Sequence, residues 1–239
     1  DVWQAPLAGP RPQYRRKARL AIDARNPNQI KLGFREANSS NVINVETCPI
    51  LVDPLSKLIG PLRDALTGFE SARHIGHISL IAGDNTSHLV IKHTKALEAE
   101  LIDAVSELVN NSSSVNGNVI ELKLENKQGQ IRSVGRGTDM VMNTVSGCSI
   151  SPSANDFIQI NKVVNEKMVN QAIGWLNPKP SERIADWFSG LGNFTLPIAK
   201  LGAKVQAVEG VAEMVRRAKD NAQQQGIENV EWLHLDLAD

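Results

Sequence analysis

The stretch ADWFSGLGNFTLP, residues Ala185–Pro197, decides the fold. Asp186 is followed by Gly190 and Gly192, and an apolar helical run begins directly after them. An acid, a glycine pair and then a helix mark a strand turning into a helix beneath an adenosine-containing ligand. Glycine removes side chains where the backbone must bend sharply and approach a ligand, and the helix that follows offers its first N–H groups.

The flanking sequence fits that reading. Asn165 to Leu176 is an amphipathic helix closed by NPKPSE. Then come the short strand RIADWF, the glycine turn, a helix from Phe194 to about Leu201, the strand KVQAVEG, a helix over Ala212 to Gln225 and the strand NVEWLHL. This β-α-β-α-β order with short connections is the opening half of a doubly wound parallel sheet. A three-stranded half-sheet leaves an edge that a complete fold covers, so the chain is expected to be a piece of a longer protein.

Upstream of SPSAND the pattern is mixed. YRRKARLAID and QIKLGFRE, separated by NPN, predict a basic hairpin, and HISLIAG and HLVIKHT around GDNTS predict a second. Leu55, Leu58, Ile59, Leu62 and Leu66 predict a helix over Pro54 to Phe69, with Pro61 at a kink or in an early turn. A second helix is expected from Ala96 to Val109, a loop at NNSSSVNGN, and a strand–turn–strand over VIELKLENKQGQIRSV. The fold class is α/β: an α+β domain over 1–152, then the first part of a Rossmann-like domain over 153–239, with the boundary near Pro152.

The 239 residues suffice for two compact units, and 41% hydrophobic with 22% charged residues is ordinary for a soluble protein. No apolar run approaches a membrane span and the start lacks a signal-peptide pattern, which predicts a cytoplasmic location with no membrane partner. Cys48 and Cys148 are too few for a disulfide framework. The net charge of zero hides an asymmetry: eight cationic residues against Asp23 between Arg11 and Arg35, but seven acids against three cations from Val205 onward. The first end suits a polyanion.

The ligand of the glycine turn follows from its neighbours. A dinucleotide fingerprint wants a small residue three positions after Gly192, where this chain has Thr195. In S-adenosylmethionine-dependent methyltransferases one acid closes the first strand ahead of the glycines and a second closes the next strand to hold both ribose hydroxyls. Asp186 and Glu209 occupy those places. A cationic sulfonium without a pyrophosphate makes nearby carboxylates an asset.

Through YRRKARL, KLGFREANSS, ETCPIL, DFIQINKVVNEKMV, GNFTLPIA and VEGV, the chain resembles the bacterial large-subunit (23S) ribosomal RNA (uracil-5-)-methyltransferases, the branch that carries an iron–sulfur cluster. The resemblance implies S-adenosylmethionine contacts from Gln159, Phe188, Asn193, Glu209 and Asp236, beside Asp186, Gly190 and Gly192, and places Phe157 at the uracil pocket. On the residues alone, Phe157 and Ile160 read equally as core and Gln159 as a surface amide. The resemblance also makes Cys48 the fourth ligand of a [4Fe-4S] cluster whose other ligands stand upstream in the family. Four thiolates close such a site, so Cys48 is expected to be a free thiol here. Cys148 matches no motif and reads as packing.

Ser189 stands where the family has cysteine, a small change in a tight turn. The family's Ser-Cys-Asn-Pro nucleophile, its Asp-Pro-x-Arg motif, its glutamate base and its TRAM domain find no match here. The implied reaction adds a cysteine thiolate to uracil C6, activating C5 for methyl transfer, and a base then removes the C5 proton so that the thiolate leaves. The uracil must be turned out of its stack. Because the nucleophile is missing, the chain by itself is expected to be inactive. Ribosomal RNA is the expected partner, with no obligate protein partner evident, and Arg15, Arg16, Lys17, Arg19 and Arg35 of the first hairpin are candidates for its phosphates. A merely solvated charged face is the plainer reading.

His74 and His77 of RHIGH invite a metal, but two imidazoles on opposite faces of a strand are insufficient. Two further functional classes stay open: a non-catalytic RNA-binding module, and a nucleotide-dependent oxidoreductase, against which Thr195 and the basic hairpin both argue.

Overall fold

The computed structural model describes residues 3–116 and 119–236. It forms two compact units: Pro10–Met140, and the residues up to Gly9 together with the chain from Val141 onward. The change of unit therefore lies ahead of the expected Pro152. The reason is local. Gln225 donates to Ser149 O at 2.8 Å and accepts from Ser149 N at 2.8 Å, while Asn221 Oδ1 accepts from Ser151 N at 3.1 Å. A segment whose backbone is held by these amides belongs to the unit that supplies them.

The first unit opens with β1 (Lys17–Asp23), β2 (Lys31–Arg35) and β3 (Val42–Asn44). β1 and β2 form the expected hairpin, with Ala21 opposite Gly33. Gly33 is required by closeness: a Cβ there would lie 2.1 Å from Ile43 O. The helix expected over Pro54 to Phe69 is two helices, α1 (Asp53–Ser56) and α2 (Ile59–Leu66). Pro61 falls in the first turn of α2, where a missing N–H leaves no bond unmade.

Next come β4 (Ile75–Ala82), β5 (Thr86–His93), α3 (Ala99–Asn116), β6 (Val119–Glu125) and β7 (Ile131–Val134). Among the described residues the sheet has seven strands in the order β3-β2-β1-β4-β5-β6-β7. Only β5 and β6 pair in parallel, with α3 as their crossover. Helix α3 runs through residues 110–116, where a loop was expected. The polar run is accommodated because Ser113 Oγ donates to Val109 O at 2.8 Å and also accepts from Ile120 N at 2.8 Å, joining the helix to the next strand.

Alternation sets the core. Ala18, Leu20, Leu32, Ile78, Leu80, Leu89, Ile91, Leu122 and Leu124 share a cluster with Leu55, Leu62, Leu66, Leu101, Val105 and Val109 of the helices. Each fully buried leucine stabilises by about 1.5–3 kcal/mol. The other residues of the same strands, Arg19 and Ser79 among them, occupy the opposite face.

The second unit contains β8 (Met142–Asn143), β9 (Ser149–Ile150), α4 (Lys162–Leu176), β10 (Arg183–Trp187), α5 (Thr195–Lys200), β11 (Lys204–Glu209), α6 (Ala212–Gln224) and β12 (Val230–His234). Asn161 caps α4, its side chain accepting from Val164 N, and left-handed Asn177 ends the helix. Strands β10, β11 and β12 are parallel neighbours in that order, the β-α-β-α-β half-sheet read from the sequence. Met214, Val215, Ala218 and Ala222 bury one stripe of α6. No helix among the described residues is long and apolar enough to cross a membrane.

Candidate cofactor site

The turn after β10 is built from left-handed residues: Phe188 at φ 63°, Gly190 at 57° and Gly192 at 94°. A phenylalanine in that region is strained, and its side chain is 73% exposed, so packing does not hold it there. The two glycines differ in purpose. A Cβ on Gly192 would meet Leu196 Cγ at 2.9 Å and the Trp232 ring at 3.3 Å, so this glycine lets α5 and β12 close up. A Cβ on Gly190 would meet nothing nearer than Met214 Cε at 3.5 Å, and the left-handed backbone is the reason for glycine there.

Glu209, the last residue of β11, joins two loops. Its Oε2 accepts from Gly190 N at 3.0 Å and its Oε1 from Val211 N at 3.0 Å. Each carboxylate oxygen retains a lone pair for a hydroxyl donor. The backbone beyond β12 reaches the same place: Leu235 N donates to Glu209 O at 3.2 Å, and exposed Asp236 follows. The carboxyl ends of three parallel strands thus converge where open α/β sheets take ligands.

Asp186 lies beneath the turn. Thr195 Oγ1 donates to its Oδ2 at 2.5 Å, strapping β10 to the start of α5. Burial pushes the Asp186 carboxyl above its ordinary value, and the Thr195 bonds oppose that rise. Thr195, fully buried, is read from the sequence only as a departure from a dinucleotide fingerprint. Asn193 and Asn165 of α4 exchange hydrogen bonds of 3.0 and 2.8 Å, which fixes α4 against the turn.

In the DFIQIN element Phe157 is 73% exposed, excluding the plain core reading for it, whereas Ile158 is buried and Gln159 half-buried. Buried Asp156 anchors the element by accepting from Ser153 N at 2.7 Å and from Arg217 of α6. The sequence carries no signal for Asp156–Arg217 or Asn165–Asn193, because both pairs join positions far apart in the chain.

In the first unit Arg19 and Arg35 are exposed and Arg15 and Lys17 half-buried. Arg16 is buried at 6% exposure, which corrects its expected place on an open basic face. Cys48 is buried, and Ser56 Oγ bonds both its N and its O, at 2.9 and 3.0 Å. Cys148 is buried too, and burial raises its thiol pKa. Among the described residues no three His, Cys, Asp or Glu side chains converge as a metal site. His74 ends a 3₁₀ turn and only His77 lies in β4, so the two do not share the strand expected for them.

A family model described as tRNA (uracil-5-)-methyltransferase matches residues 7–238. The 23S rRNA (uracil(1939)-C(5))-methyltransferase RlmD of Alteromonas mediterranea is 75% identical over 99% of this chain and 48% of its own length. The protein of the same name from Shewanella sediminis is 40% identical over 97% of this chain and 51% of its own length. The chain spans about half the length of these relatives. In fold it is similar to the Pyrococcus abyssi tRNA (uracil-54, C5)-methyltransferase solved with S-adenosyl-L-homocysteine, at a TM-score of 0.68 and 17% identity over 94% of this chain and 56% of that one.

Proposed function

The chain belongs to the tRNA (uracil-5-)-methyltransferase family, and from that premise we propose that it holds S-adenosylmethionine and docks RNA for methylation of a uracil C5 in 23S ribosomal RNA. The observation that carries this reading is Glu209, whose carboxylate ties the Gly190 and Val211 amides while keeping acceptor capacity for a ribose diol. Dinucleotide folds also carry an acid at this strand end for a ribose, so Thr195, where they need a small residue, is what disfavours NAD; a sulfonium meets Glu209 as an attraction.

When bound, S-adenosylmethionine supplies an electrophilic methyl group. Glu209 accepts from the ribose, and Gly190 and Gly192 shape the turn. Asn193 is locked by Asn165 and orients the first turn of α5. Phe188 and Gln159 would contact the nucleoside, and Asp236 would add a second acceptor. Asp186 acts through Thr195 by positioning the turn. Phe157 is placed to stack on a base turned out of the RNA. Arg15, Lys17, Arg19 and Arg35 meet backbone phosphates.

The nucleophile lies outside these residues, since neither Cys48 nor Cys148 stands in a Ser-Cys-Asn-Pro context. An iron–sulfur cluster needs four thiolates, and this chain has only Cys48 and Cys148, so its own residues do not fit that group and no step runs through it. The test is nucleoside analysis of a 23S ribosomal RNA transcript after incubation with S-adenosylmethionine. A protein of the relatives' full length carrying this chain should form 5-methyluridine, and this chain alone should form none. Unmodified RNA in the first case, or 5-methyluridine in the second, contradicts the assignment.

A further inference from the structure

Several arginines have a carboxylate close by: Arg25 has Asp23 at 2.6 Å, Arg216 has Glu213 at 2.7 Å, and Arg217 has Asp156. Arg19 and Arg35 differ. Among the described residues neither has a carboxylate within ion-pair distance, and both line one cleft of about 380 Å³ with Leu20, Ala21, Gly76 and His77. The strand register explains the meeting. Ala21 lies opposite Gly33, so the positions two residues further on each strand, Arg19 and Arg35, share a face of the sheet. Register between β4 and β5 shifts between Ile75 and His77, an irregularity at Gly76 that re-aims the following side chain.

His77 meets Arg19 directly, Arg19 Nη2 lying 2.9 Å from His77 Nδ1. A guanidinium has no lone pair to offer, so Nδ1 accepts and the imidazole is neutral with its proton on Nε2. The charged groups around the ring agree. Burial, Arg19 of β1 and Lys92 of β5 all disfavour protonation, and Glu125 of β6 opposes them, leaving His77 below its ordinary value. Arg35 Nη1 donates to Ser40 O at 3.2 Å, and the remaining donors of both forks have no carboxylate to neutralise them. Two like charges turned into one concavity repel each other until an anion enters.

We propose that this cleft is a phosphate subsite for one phosphodiester of the RNA strand, with Arg19 and Arg35 as its two guanidinium ligands and neutral His77 as the positioning residue that holds the Arg19 fork. It rests on the RNA-docking reading above and narrows it from a charged hairpin to one three-residue site. Planar forks suit the paired non-bridging oxygens of a phosphodiester, and an acceptor behind one fork fixes its plane.

The test measures binding of the chain to fluorescein-labelled oligouridylate across a salt series. Arg19→Gln and Arg35→Gln should each weaken binding about 3- to 10-fold and lower the salt slope by about one counterion. His77→Leu should weaken it about 3-fold with the slope retained, and His77→Asn, which keeps an acceptor near Nδ1, should restore it. Uridine monophosphate and inorganic phosphate should compete only at far higher concentration. Unchanged slopes in both arginine variants, with wild-type binding intact, overturn the subsite and leave RNA docking standing. Failure of His77→Asn to rescue overturns the positioning role, and competition by inorganic phosphate at oligouridylate concentrations reassigns the site to a free anion. Absence of wild-type binding at low salt overturns the docking reading and the subsite together.

Discussion

At the scale of single residues, function and stability separate around the glycine turn. Glu209 makes two amide hydrogen bonds and keeps capacity for a ligand, whereas Asp186 is committed to Thr195. Thr195→Val removes the side-chain donor and leaves the buried carboxylate with the Thr195 backbone bond alone, which should cost about 1–3 kcal/mol, read as a lower melting temperature. Because burial raises the folded-state value of Asp186, its contribution to stability is fully present below its ordinary value of 3.8 and is lost as pH rises through the folded value. The Thr195→Val penalty should therefore shrink toward acid pH; a pH-independent penalty would contradict the strap. The acids and glycines were legible in the sequence because motif spacing encodes them. Thr195 was noticed there only as a misfit, since its partner is fixed by the turn's three-dimensional path.

At the scale of elements, alternation in β1 and the NPN and GDNTS turns made β1, β2, β4 and β5 legible, and the apolar stripe of α6 did the same for a helix. The C-terminal part of α3 is not legible because a run of Asn and Ser reads as loop by composition, while the hydroxyl of Ser113 ties the helix to the next strand. Ser113→Ala should cost about 1 kcal/mol in chemical denaturation. On the buried face of α2, Leu62→Ala should cost about 2–5 kcal/mol, since Leu62 has no exposed surface.

His88 of β5 tests the electrostatics of the same sheet. It is buried, bonds Thr138 O at 3.1 Å, and burial lowers its pKa from 6.5 to about 4. Between those values the unfolded chain takes up a proton that the folded chain refuses. Stability should be full above 6.5 and fall as pH drops toward about 4, by on the order of 3 kcal/mol. His88→Gln should flatten that segment of the pH–stability curve; a curve unchanged by the substitution would contradict the assignment.

At the scale of the whole molecule, the change of pattern after SPSAND pointed to a second unit, and the chain does divide into two compact units. Their boundary was not legible, because Val141 to Ser151 carries no strong periodicity and is captured by amides of Asn221 and Gln225 far along the chain. The proposed task of the second unit is to cradle an adenosyl thioether or sulfonium in place of a dinucleotide. It is tested most directly by calorimetric titration of this chain and of Glu209→Gln with S-adenosylhomocysteine and with NAD. The account predicts that S-adenosylhomocysteine binds, that Glu209→Gln weakens it about 10- to 100-fold through loss of a charged acceptor, and that NAD does not bind. Binding of NAD in preference, or S-adenosylhomocysteine affinity indifferent to Glu209, would contradict it.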